Sequence, residues 1–506
     1  MSQKVLVVGT GFGGLAAAIR MRALGYDVEM IEAGSQPGGR ARVFEQDGFS
    51  FDAGPTVITA PYLLDELFSL VGRDARDYFD LMPVDPFYRV AFDDGSQFDY
   101  VGDEERLLSQ IEQMNPADVQ GYQNLVKQAQ EIFAIGYEEL AHVPFNRLSD
   151  MLRVVPQMIR LKSYKSVYSM VASHIKDERL RQVFTFQPLL VGGNPFNVSS
   201  IYLLIHWLER KWGVHFAKGG TTAIVKAMVK LLEEIGVGFR FNSPVERLEV
   251  SDGQVKGVRL EGGQTIMADM VVSNADPSTV YTKWLEPTQR RRHTDRSVAR
   301  KKQSMSLFVA YFGTKKTYPD IAHHTIILGP RYKGLLNDIF NRKVLADDFS
   351  LYLHAPTRSD PSLAPEGCEN FYVLSPVPNQ KSGLDWSELN EEYMDRILTF
   401  LDQSHLPGLK ENLVTQKNVD PRYFQTELRS YQGNAFGIEP LLQQSAYMRY
   451  HNVSEDVQGL YFVGAATHPG AGVPGVLSSA KVLEAVVPRP IKGNPIPQAS
   501  PLKMVS

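Results

Sequence analysis

Cysteine is almost absent: Cys368 stands alone among 506 residues. No internal disulfide can form, and zinc or iron–sulfur centres built from several cysteines are excluded. Neither charge sign is in excess. Fifty-three lysines and arginines nearly balance 57 acids, for a net charge of −4, so the chain as a whole carries no footprint for nucleic acid. Long hydrophobic runs are missing too. No stretch of about 18 uncharged apolar residues occurs, which argues against a membrane-spanning helix and leaves peripheral attachment open. The first apolar run, Val5–Val8, is too short for the core of a secretion signal and reads as a strand. No internal repeat and no metal-ligand spacing stand out. What remains is ordinary globular composition, 43% hydrophobic and 10% aromatic, enough to bury a core in two or three domains.

The chain opens on a βαβ pattern. Val5–Val8 is a β-branched run expected of a buried parallel strand. A glycine turn follows, then an Ala- and Leu-rich helix from Leu15 to Leu24 that Gly25 ends, then a second strand over Val28–Ile31. A helix is expected over Tyr62–Leu70, and residues 104–176 are helix-rich. Within 141–176 the bases Arg147, Arg153, Arg160, Lys162, Lys165 and Lys176 face the single acid Asp150, and Pro156 is expected to break or kink the helix there. Patterning returns to α/β over 219–285. Gly219-Gly220 opens a helix through Leu231, strands follow near Gly238–Phe241, Val245–Val250 and Val255–Leu260, Asp252-Gly253 marks a hairpin turn, and Met270–Ser273 is a buried strand. Residues 303–455 alternate strands and helices in no order the sequence resolves. Leu460–Val463 reads as a strand and Val476–Val487 as a helix, and the proline-rich stretch from Pro488 reads as a disordered tail.

Chemistry concentrates in four glycine-containing segments. Gly9-Thr10-Gly11-Phe12-Gly13-Gly14 lies between a strand and a helix. Gly9 suits the tight turn, Gly11 lets backbone approach a pyrophosphate, and Gly14 lets the helix pack close to the strand. The helix N-terminus offers amides and a positive dipole end to phosphate. Glu32, at the end of the second strand, can accept hydrogen bonds from ribose hydroxyls. Gly38-Gly39-Arg40 fits a loop folded back over the pyrophosphate, with Arg40 as charge partner. Gly54-Pro55-Thr56 makes a fixed turn with a hydroxyl. Far downstream, Gly464-Ala465 and Gly472-Val473-Pro474-Gly475 repeat the strand–glycine loop–helix logic. Their helix can aim its N-terminus at the flavin ring and stabilise negative charge on it. Together these residues, with Val245, form the expected cofactor site for FAD.

The segments that carry these motifs resemble a known family. Residues 51–58, 189–196, 215–221, 307–313 and 464–475 are similar to stretches of the bacterial-type phytoene desaturases, flavoproteins of the glutathione-reductase and amine-oxidase type. The resemblance runs from about residue 4 to 486. It implies an α/β fold: a discontinuous Rossmann-like FAD domain, a mixed α+β substrate domain and a helical, membrane-facing subregion. The expected partition is FAD-binding over 1–85, 215–285 and 456–487, a helical substrate and membrane region over 86–214, a substrate domain over 286–455, and the tail over 488–506. It further implies one non-covalent FAD, phytoene or a related C40 polyene as substrate, oxygen or quinone as electron acceptor, and peripheral attachment at the cytoplasmic side of the membrane.

Desaturation removes a hydride and a vicinal proton, and the proton can pass to a carboxylate or water. Asp150, the lone acid in a basic, apolar stretch, is the candidate base, with simple pairing to Arg147 or Arg153 as the competing reading. His468, beside the C-terminal glycine loop, is a second candidate. The stretch 141–176 is either a lipid-facing surface or a solvated helix face. The segment Ile201–Trp212 and the aromatics near Tyr431 and Phe436 either line a substrate tunnel or are plain core. The resemblance implies lycopene or neurosporene as product; a flavin-dependent desaturase or oxidase of another carotenoid, an amine oxidase of the same superfamily, or an isoprenoid-handling flavoprotein without net oxidation stand as alternatives.

Overall fold

A computed structural model describes residues 3–490 together with Gly493 and Ile496. The expected tail therefore lies mostly outside the described residues. Two layers of structure organise the rest.

The first is a five-stranded parallel sheet in the order Leu460–Phe462, Met270–Ser273, Lys4–Val8, Asp27–Ile31 and Gly238–Arg240. The central strand pairs Val5 with Met270 on one side and with Val28 on the other. Val5–Val8 is buried on both faces, which is why it reads as a continuous apolar run rather than an alternating one. Helices Phe12–Ala23, Thr221–Glu234 and Val473–Val486 cover one face through Leu15, Ile19, Ile224, Met228, Leu477 and Ala480. A three-stranded antiparallel sheet covers the other, packing Leu248 and Val258 toward Leu6, Val8 and Ile31. Its first hairpin turns at Asp252 and Gly253, both at positive φ (52° and 73°), the geometry of a tight two-residue hairpin.

The sheet joins three segments of chain, and charge ties two of its helices together. Arg20, 1% exposed, donates to Glu484 at 2.6 Å and to Glu66 at 2.9 Å, and Lys481 closes the network on Glu66 at 2.9 Å. The Arg20–Glu484 bond spans 464 positions of sequence.

The second layer is a seven-stranded mixed sheet, in the order Leu413–Val419, Ser306–Thr314, Glu369–Val377, Leu351–His354, His324–Ile327, Tyr88–Ala91 and Gln97–Tyr100. Only its pair His324–Ile327 with Tyr88–Ala91 is parallel. Helix Glu104–Met114 packs on its edge strand Gln97–Tyr100, and helices Val119–Phe133 and Leu204–Trp212 pack on each other within the same core. The expected break at Pro156 does not occur: Leu148–Arg160 is continuous. Proline deprives only the Leu152 carbonyl of its amide partner, and Leu152 is 63% exposed, so water can take that bond. The Gly25 and Gly220 turns fall where expected, at positive φ (97° and 81°).

Candidate active site

Ligands of open α/β sheets bind beyond the carboxyl ends of the strands. Here those ends meet one cavity of about 550 Å³. Val8, Glu32, Asn274 and Gly464 all line it, each at or just past the end of a parallel strand.

The first glycine loop is shaped by contacts that no side chain permits. Gly9 has φ +96°, and a Cβ on Gly14 would lie 1.9 Å from the Gly9 carbonyl oxygen. The helix Phe12–Ala23 starts at Gly11 with no side-chain cap, leaving its first amides free for an anion. Glu32 is buried. One carboxylate oxygen accepts from the Thr10 amide at 2.9 Å and the Thr10 hydroxyl at 2.6 Å, and the other accepts from the Gly34 amide at 2.9 Å. Gly38 and Gly39 take positive φ (113° and 55°). The Gly38 amide donates to the Thr10 carbonyl at 3.0 Å, so the second loop folds onto the first. Arg40 is half-buried. It donates to Ser430 Oγ at 2.8 Å, its Nε has no partner among the described residues, and burial lowers its pKa. Gly54 lies against Arg40, where a Cβ would be 2.1 Å from the Arg40 carbonyl oxygen. Thr56 Oγ1 shares hydrogen bonds with the hydroxyls of Tyr352 (2.9 Å) and Tyr372 (3.1 Å).

The C-terminal loop closes the same cavity. Gly464 and Gly472 have φ +102° and +90°, and the helix Val473–Val486 begins uncapped at Gly472. A Cβ on Gly13 would meet the Gly464 amide nitrogen at 3.1 Å. Every residue expected to hold the cofactor lines the cavity except Gly14, which lies behind the loop. This cradle of glycine backbone, two uncapped helix N-termini, an acid and an arginine can hold a dinucleotide with a flavin ring.

Asp150, the candidate base, lies at the start of the helix Leu148–Arg160. Its carboxylate accepts from the Arg147 amide at 3.0 Å at the start of the helix and does not line the cavity. A carboxylate there stabilises the helix N-terminus instead. His468 does line the cavity, but its Nε2 faces the Leu140 carbonyl at 3.3 Å and its ring meets Phe145 edge-on. Burial lowers its pKa to about 4, so it is a neutral wall residue at pH 7.

Three contributors were not read from the sequence. Asn274 sits between the two glycine loops, its amide oxygen 2.5 Å from where a Gly13 Cβ would lie. Its position just past the buried strand Met270–Ser273 was the available signal. Arg449, 3% exposed, donates to the carbonyls of Ala465 (2.7 Å) and Thr467 (2.9 Å) and so shapes the C-terminal loop. Nothing local in sequence marks it. Glu209 lines the cavity at 0% exposure. One of its oxygens accepts from the Tyr88 hydroxyl at 2.8 Å, and the Gln187 side chain also favours its charged form. Burial raises its pKa to about 8. Sequence shows it only as one acid in a mixed helix.

The sequence matches the flavin containing amine oxidoreductase family over residues 12–482, which makes this chain a flavoprotein of that class. It is 50% identical to a lycopene-forming phytoene desaturase of Pseudescherichia vulneris, over 95% of this chain and 98% of the relative. It is 44% identical to a neurosporene-forming one of Cereibacter sphaeroides, over 96% and 95%. The chain belongs to the bacterial phytoene desaturase family. Its fold matches putrescine oxidase with a TM-score of 0.64 at 16% identity, covering 96% of this chain and 99% of that one.

Gly14→Ala tests the cradle. The added methyl must displace the Gly9 carbonyl, so the protein is expected to purify folded with under about a tenth of the wild-type flavin. Circular dichroism and flavin absorbance check this; full flavin content would contradict it.

Proposed function

We propose that this chain is an FAD-dependent desaturase that converts phytoene to neurosporene or lycopene at a membrane surface. The carrying observation is one cavity with two characters. One end is glycine backbone, and the remainder is largely apolar, with Phe186, Leu189, Ile201, Ile205, Leu307 and Leu328 among its walls and Glu209 as a buried carboxyl. A hydrocarbon fills such a wall without desolvating any polar group of its own. Family relatives that form lycopene or neurosporene are 42–50% identical over nearly the whole chain.

FAD fits the polar end. The amides after Gly11 would hold the pyrophosphate, Glu32 would accept from the ribose, Val245 would line the adenosine side, and the helix at Gly472 would serve the flavin ring. FAD bound there supplies the hydride acceptor. The protein's own task is to hold one allylic C–H bond in place, keep water out, and receive the vicinal proton.

Three carboxyls line the cavity. Glu32 is engaged by Thr10 and Gly34, and Glu427 is exposed. Glu209 remains, and its carboxylate form accepts the proton while Tyr88 donates to it. Because burial raises its pKa to about 8, the accepting form is scarce at lower pH and grows as pH rises.

The helix Leu148–Arg160 supports a membrane-facing entrance. Met151, Val154 and Met158 face the cavity, while Leu148 (56% exposed), Leu152 (63%) and Ile159 (62%) face outward. Arg147, Arg153, Arg160, Lys162 and Lys165 surround this outer face, a pattern that suits anionic lipid. Among the described residues no helix is long and apolar enough to cross a membrane.

The experiment for the reaction is incubation of flavin-loaded protein with phytoene in liposomes, followed by chromatography of the pigments. Neurosporene or lycopene is expected, and unchanged phytoene would overturn the reading. In the same assay turnover is expected to rise with pH through about 8 and to level off above it. Glu209→Gln is expected to lose about 10²-fold in turnover with flavin content unchanged; full turnover in the variant removes Glu209 from the reaction. Replacing both Leu152 and Ile159 by Ser is expected to weaken cosedimentation with anionic vesicles at least about tenfold. Equal binding would rule this helix out as the membrane contact.

A further inference from the structure

Behind Thr56 the mixed sheet holds three histidines that the reaction does not use. His324 and His354 are cross-strand partners in the antiparallel ladder of His324–Ile327 with Leu351–His354, and His323 is the residue just before. All three are buried, His324 and His354 at 0% exposure and His323 at 5%. One donor nitrogen from each lies within 4.8 Å of the others.

Their hydrogen bonding is one-sided. His323 Nδ1 pairs with the Ser359 hydroxyl at 2.7 Å, and His324 Nδ1 pairs with the Tyr352 hydroxyl at 2.7 Å. Nε2 of both rings has no partner among the described residues, and His354 finds no side-chain partner, only the His323 backbone. Partnering one nitrogen with a neighbouring group while aiming the other inward is how proteins orient metal-binding imidazoles. Burial lowers the pKa of all three rings, and the neighbouring histidines lower those of His324 and His354 further. The rings are therefore neutral and present lone pairs. Lone pairs gathered in a buried interior repel one another, and polar atoms left unsatisfied there are costly.

We propose that His323, His324 and His354 form a buried binding site for a divalent transition metal ion of the zinc type. Imidazole suits this class, and three protein nitrogens leave a fourth position for water. Zinc–nitrogen bonds of about 2.0–2.1 Å require the donors to draw closer than the 4.8 Å within which they stand. The bound ion would fix Tyr352 through His324, and Tyr352 hydrogen-bonds Thr56 in the cavity wall at 2.9 Å. The role is structural, and it stands independently of the substrate reading.

The test uses the flavin-loaded protein, stripped with a chelator, incubated with zinc chloride and desalted. Elemental analysis is expected to find about one zinc per chain. Cobalt chloride is expected to give the intense visible bands of a four-coordinate ion, and zinc is expected to raise the unfolding temperature. His354→Gln and His323→Asn, both checked for flavin content, are expected to abolish the cobalt bands. If either variant fails to fold, the stoichiometry and cobalt spectrum of the unmutated protein still decide. Folded protein that retains no zinc and gives only the spectrum of hydrated cobalt would overturn the proposal, leaving a histidine cluster bridged by water alone. Variants that keep the bands would overturn it equally.

Discussion

A Cβ atom on Gly13 would stand 3.1 Å from both the amide nitrogen and the Cα of Gly464, and 2.5 Å from the Asn274 side chain. Three segments of chain, from its beginning, middle and end, thus converge where only glycine backbone fits. Everything else follows from that closeness. The parallel sheet must bring Lys4–Val8, Met270–Ser273 and Leu460–Phe462 side by side. The helices that start at Gly11 and Gly472 must pack together, and Arg20 bridges Glu66 and Glu484 where they do. Arg20 is 1% exposed, so its charge is tolerated only while both acids hold it. The same convergence leaves two free helix N-termini at the rim of one cavity.

Much of this was legible in the sequence because local physics and global architecture agree there. Val5–Val8 and Met270–Val272 are unbroken apolar runs because both sheet faces are covered. The glycines of residues 9–14 are required by turn geometry and close packing, and such requirements leave a motif. Asp252-Gly253 forced its hairpin in the same way. Residues 303–455 were not legible. Ser306–Thr314 is buried at every position and lies between strands from distant parts of the chain, so its place depends on partners that no local pattern names.

The site divides along the same line. Backbone-built parts were visible, and parts built from single side chains meeting across space were not. Glu209 becomes notable only once Tyr88 and an apolar cavity surround it. Arg449 matters because it reaches the carbonyls of Ala465 and Thr467. Asp150 attracted attention as the one acid among bases, yet it stabilises a helix start. The helix above it resists Pro156 because the lost bond lies at the exposed Leu152. That helix presents one apolar face to the cavity and another outward.

Convergence on a single cofactor is tested most directly by hydrogen–deuterium exchange of the flavin-free protein with and without added FAD. Amides of the 9–14 and 38–41 loops and those of the 464–476 loop are predicted to gain protection together, over the same range of FAD concentration. Protection confined to the N-terminal loops, with the C-terminal loop unchanged at saturating FAD, would contradict the claim that both ends of the chain close on one flavin.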